Sequence, residues 1–214
     1  MDSSSSLFNE KHSLAIRIWH WTFFAVITSS LITVLFASTL FKTRPNIPMI
    51  QAQIEEKGGT VTPEQAKAVA HEYNDKLWEV HTWLGYGLCF LLLSRIIIEV
   101  SNPKEQRLKN KIKKALSFAF INDTEKFDKR HYLLAKYGYL FFYIIIILMA
   151  ITGLGLAFED VPFLKDIHRS IKKVHSFTQY LIYFYILSHL IGVIRAEITD
   201  NKGIVSRMIN GNKS

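Results

Sequence analysis

A chain of 214 residues with 49% hydrophobic residues, a net charge of +8 and one cysteine leaves few classes open. A single thiol, Cys89, excludes an internal disulfide, the Cys-x-x-Cys-His attachment of c-type haem, and iron-sulfur or cysteine-based zinc centres. Its positive charge reads as a topology signal and as attraction to anionic lipid, and nothing in the chain resembles a nucleic-acid module.

The hydrophobic residues gather in four blocks, Leu14 to Phe41, Leu77 to Val100, Leu133 to Phe158 and Ile171 to Ile194. Each exceeds the roughly 20 residues that cross a hydrocarbon layer of about 30 Å, so each is expected to span a membrane. The first block is too long for a signal-peptide core and lacks a small-x-small cleavage site, which makes it a retained span. The connection at 42–76 contains Gly58-Gly59 and then Thr62-Pro63-Glu64-Gln65, a cap, a first-turn proline and a glutamine three residues after the cap. That signature predicts a short helix over about 63–74, with Ala66, Val69, Ala70 and Tyr73 on one apolar face, acting as a lid or a docking surface. Cys89, inside the second block, is expected to pack as a small apolar residue. In the basic connection, about 101–132, Leu108, Ile112, Ala115, Leu116 and Ala119 alternate with lysines, the pattern of an interfacial helix anchored to the inner leaflet.

If the spans alternate, the amino terminus, the middle connection and the tail share one side carrying 17 Lys and Arg, against 9 for the other side. The positive-inside rule therefore places both termini in the cytoplasm. The expected fold is a single all-α membrane domain over residues 1–214, a four-helix bundle.

His175 and His189 lie fourteen residues apart in the fourth block. Fourteen steps of about 100° fall within about 40° of four full turns and rise roughly 21 Å, so one helix face offers an imidazole near each membrane surface. By depth, His20 in the first block matches His189, and His81 in the second matches His175. An ionisable side chain inside a span is costly and normally faces a partner in the bundle. Any one of these histidines alone reads as an interhelical hydrogen bond. Four matched in depth, two of them on one face, read as metal ligands, His20 with His189 and His81 with His175. Two imidazoles fill the axial positions of a haem iron, whereas zinc or di-iron centres want further carboxylate or thiolate ligands that no span supplies.

Arg17, one turn before His20, and Arg95, at the cytoplasmic level of the second span, are candidate partners for haem propionates, as are Lys172 and Lys173. Snorkelling to lipid headgroups competes with that role, least so for Arg95, the deepest of them. Trp19, Trp21, Trp78 and Trp83 flank the ligands and fit an interfacial belt. Gly85, Gly87, Gly138, Gly153, Gly155 and Gly192 could admit a flat macrocycle, but equally suit helix packing. His12, His71, His131 and His168 are assigned to connections and interfaces.

Several motifs in order give the chain a family likeness: Arg17-Ile18-Trp19-His20-Trp21, Val80-His81-Thr82-Trp83-Leu84-Gly85, His131-Tyr132-Leu133 to Tyr139, Ile151-Thr152-Gly153-Leu154, Val174-His175 to His189, and the tail Gly203 to Gly211. Together they resemble the bacterial cytochrome b561 group, which includes the cytochrome b subunits of nickel-iron hydrogenases, over about residues 12–212. The resemblance implies a four-helix, multi-pass protein of the bacterial inner membrane with two non-covalent haems b. It further implies electron transfer between a redox protein (a hydrogenase, another dehydrogenase or a periplasmic carrier) and the quinone pool or another acceptor. A quinone is then expected beside Arg17, Arg95 and His189, and a homodimer stays open. The long outer connection and lysine-rich inner one are less typical of the group. The alternatives are a self-contained membrane oxidoreductase acting on superoxide or ferric iron with quinone, a haem-free transporter using histidines as a proton relay, and a membrane anchor for a peripheral dehydrogenase.

Overall fold

The computed structural model describes residues 13–101, 107, 110, 112–113, 123–199 and 203–211, without the side chains of 123–132. The basic helix expected around 108–119 therefore lies largely outside the described residues, as do His12 and the side chain of His131. Every regular element described is helical: α1 Leu14–Ser38, α2 Thr43–Glu56, α3 Pro63–Ser101, α4 Asp123–Ala157, α5 Pro162–Ile198 and α6 Ile204–Asn210.

Four stretches are long and apolar enough to cross a membrane: Leu14–Ser38, Pro63–Ser101, Leu133–Ala157 and Pro162–Ile198. Phe90, Ile97, Leu134, Ile151, Phe184 and Leu187 on these helices are all at least 60% exposed. Against water, so much apolar surface would be a strong liability; against lipid tails it carries no such cost. The helices also outrun the apolar blocks, because hydropathy marks only the part in hydrocarbon while the backbone ladder continues into polar turns. Thus α5 starts at Pro162, whose missing N–H is harmless in a first turn, and ends at Ile198.

The chain divides into two compact units, Thr22–Phe90 and Met1–Trp21 with Leu91–Ser214. In the first, the expected capping box forms: the Thr62 N–H donates to Gln65 Oε1 at 2.9 Å and the Gln65 N–H to Thr62 Oγ1 at 3.2 Å. The helix that it opens does not stop near Asn74 but runs unbroken through the second apolar block to Ser101. Residues 63–74 are thus the polar first turns of α3. Within them, Ala66 and Ala70 are buried as the spacing required, whereas Val69 and Tyr73 are exposed. Asn74 Nδ2 donates to the carbonyls of Ala37 and Phe41, each at 2.9 Å. Those bonds answer two groups left open where α1 gives out short of Phe41, each worth about 1 kcal/mol net. A further helix, α2, fills part of the same connection. Its sequence hides it: Pro48 sits in its interior, no side chain caps it and none of its residues is buried.

In the second unit α4 and α5 pack antiparallel. Phe142 stacks on Tyr185 with ring centres 4.5 Å apart, Thr152 meets His175, and Gly155 lies against Ile171. The partners advance along α4 as they retreat along α5. The tail forms α6.

Candidate functional site

All four candidate ligand histidines are half-buried on membrane-length helices. In the first unit, the His81 ring on α3 faces Ser30 and Thr33 on α1. Its Nδ1 lies 3.3 Å from the Ser30 carbonyl, 3.1 Å from Thr33 Oγ1 and 3.2 Å from Ser30 Oγ. A carbonyl can only accept, and the Thr33 hydroxyl already donates to that same carbonyl at 2.6 Å. Nδ1 therefore carries the proton and Nε2 keeps its lone pair. The Trp78 ring meets this imidazole edge-on at 5.5 Å.

The same logic operates in the second unit with different residues. Thr152 Oγ1 donates to the Leu148 carbonyl at 2.7 Å, leaving its oxygen to accept from His175 Nδ1 at 3.0 Å. His175 is thereby also set with Nε2 available, which is the arrangement metal-bound histidines share. Gly153 lets the ring sit this close: a Cβ there would be 3.3 Å from His175 Cε1.

His20 and His189 are brought together within this second unit, their ring centres 6.3 Å apart. Two imidazoles trans to one metal, at about 2 Å from each nitrogen, have centres about 6 Å apart. The separation is therefore what two rings that would hold one metal between them need. His189 lies nearly parallel to Tyr185, one turn earlier on α5, with centres 6.1 Å apart and planes 6° apart. Tyr185 in turn carries the Phe142 stack, so the His189 ring is braced by an aromatic column from α4. On the other side, Trp21 meets His20 edge-on at 5.4 Å.

The candidate cations are engaged at this end. Arg95 pairs with Glu99 at 3.0 Å, and its guanidinium lies 5.9 Å from the Trp19 ring centre and 5.7 Å from that of Tyr143. Trp19 itself is fixed by donating Nε1 to the Leu91 carbonyl at 2.8 Å. Arg17 gives Nη1 to the Ile209 carbonyl at 2.8 Å, while its Nε is buried with no hydrogen-bond partner among the described residues. A buried cationic donor with one hydrogen still to place, one turn from a candidate ligand, fits a haem propionate. Lys172 and Lys173 are exposed. His71 pairs with Asp75 at 2.7 Å and His168 with Glu159 at 3.1 Å, in keeping with roles outside the ligand sets. His81 and His175 belong to different units.

Sequence reasoning passed over Ser30, Thr33, Thr152 and Tyr185. The pair Thr152-Gly153 was the one available signal, a hydroxyl beside a bare backbone within a motif already singled out. Ser30 and Thr33 share a helix face three residues apart but look like ordinary polar residues of a membrane helix.

Membrane-length helices that bear four half-buried histidines, two of them, His81 and His175, set to offer Nε2, define a class of membrane protein suited to ligation of a metal. A family model described as prokaryotic cytochrome b561 matches residues 11–211, and the chain belongs to that family. Its members carry electrons across the membrane through haem b, and this chain is accordingly a multi-pass bacterial membrane cytochrome. No match was found among curated proteins or among solved structures.

Proposed function

We propose that the chain is one membrane domain holding two haems b, one between His20 and His189 and the other between His81 and His175, with both termini in the cytoplasm. It would carry electrons across the bacterial inner membrane between a redox protein and the quinone pool or another acceptor. The single observation that carries this reading is the 6.3 Å spacing of His20 and His189, the two histidines matched in depth on α1 and α5.

Bound haem supplies a one-electron couple; the chain supplies ligation, orientation and charge. Thr33 and Ser30 hold the His81 proton at Nδ1, and Thr152 does so for His175, which raises the basicity of each free nitrogen. Arg17 offers its Nε to a propionate, with Arg95 as a second candidate, and burial of such charges tunes potential. A quinone is assigned to the cytoplasmic end beside Arg17, Arg95 and His189, and a hydrogenase-type or other redox partner to the outer side, where the connection of α2 and the first turns of α3 lies.

A pyridine haemochrome assay on the purified chain tests the reading. It should give two haems b per chain, falling to one in His189→Ala. Retention of two haems in that variant would refute the pairing.

A further inference from the structure

α6 has seven residues, too few to hold a helix by itself in water. Its two ends are both tied, and to the two helices that bear His20 and His189. At the start, Glu197 of α5 accepts from the N–H groups of Gly203 at 2.9 Å and Val205 at 3.1 Å. At the finish, Arg17 of α1 donates to the Ile209 carbonyl at 2.8 Å and Trp21 of α1 to the Met208 carbonyl at 3.2 Å. The orphan amides of the helix thus meet a carboxylate and its orphan carbonyls meet a guanidinium, both in the favourable sense of its dipole. Gly203 and Gly211 flank α6 with φ of 84° and 80°, left-handed conformations that favour glycine. A Cβ on Gly211 would stand 3.0 Å from the Arg17 guanidinium.

The attachment points bracket the ligands. Arg17 and Trp21 lie on either side of His20, and Glu197 follows His189 by about two turns of α5. We propose that α6 is a clamp that sets the separation of His20 and His189, with Glu197 and Gly211 acting as positioning residues for that pair through it. This rests on the reading that these two histidines share one haem.

The test uses full-length protein in detergent with its haems bound, and reads each ferric centre by electron paramagnetic resonance and by carbon-monoxide binding after reduction. His20→Ala first identifies which low-spin signal belongs to His20 and His189. Glu197→Ala and Gly211→Ala, acting at opposite ends of α6, should each shift or erase that signal and let that centre alone bind carbon monoxide. The His81 and His175 signal should stay unchanged, and Glu197→Gln, which keeps one acceptor oxygen, should restore most of the lost signal. Loss of both signals together, or of neither, in the Glu197 and Gly211 variants would overturn the clamp. If His20→Ala itself spares both signals, the ligand assignment fails, and the clamp fails with it whatever the tail variants do.

Discussion

Thr152 shows how much a single hydroxyl can decide. Its proton is spent on the Leu148 carbonyl, so its oxygen faces His175 as an acceptor and fixes which ring nitrogen stays open. Thr152→Val keeps the branched shape and removes the acceptor. Outer partners of this kind raise ligand basicity and favour the oxidised metal. Thr152→Val is therefore expected to raise the midpoint potential of one centre and leave the other alone, which a spectroscopic redox titration checks. Gly153→Ala, by contrast, forces the His175 ring to move, since the new Cβ would come within 3.3 Å of it. It should lower haem retention at that centre, measured as haem per chain after dilution. The four histidines stand out as candidates in the sequence because an ionisable group inside an apolar block is unusual. Their hydroxyl partners do not, because serine and threonine are unremarkable in a membrane helix until the neighbouring helix is in place.

Helices were read well where two signals agreed and poorly where only one existed. The capping box at Thr62 announced the start of α3, but hydropathy alone then split one helix into two. No periodicity disclosed α2, whose surface is not buried. Removing the cap with Thr62→Ala should cost about 1 kcal/mol. A thermal melt followed by tryptophan fluorescence would register it as a lowered Tm, with haem content unchanged. At the other end of the chain, hydrogen bonds from the Gly203 and Val205 N–H groups hold the Glu197 carboxyl below its ordinary pKa, helped by nearby Arg207. A lowered carboxyl contributes stability that is complete above its unfolded-state pKa and lost as pH falls through the folded one. Docking of α6 should thus be intact at neutral pH and released in acid below the usual glutamate range. Amide exchange of Val205 across that range reads the release, and Glu197→Gln should remove the pH dependence.

For the chain as a whole, the excess of basic residues on one side carries the orientation. In a Cys89→Ala background, Lys57→Cys should react with a membrane-impermeant maleimide on intact cells, and Lys213→Cys only after lysis. The reverse pattern would invert the topology and with it the assignment of the His20 and His189 site to the cytoplasmic side. The family, the four spans and the haem class were all within reach of the sequence, since each depends on residue type and spacing along one helix. What lay beyond it was the set of contacts between helices, such as the Phe142 stack on Tyr185 beneath His189 and the Arg17 grip on the tail. Haem content and midpoint potentials of the purified chain, compared with those of His189→Ala, test the central claim most directly. Two low-spin haems b with separate potentials, one lost in the variant, is the predicted result; a chain that holds one haem or none when supplied with excess would contradict it.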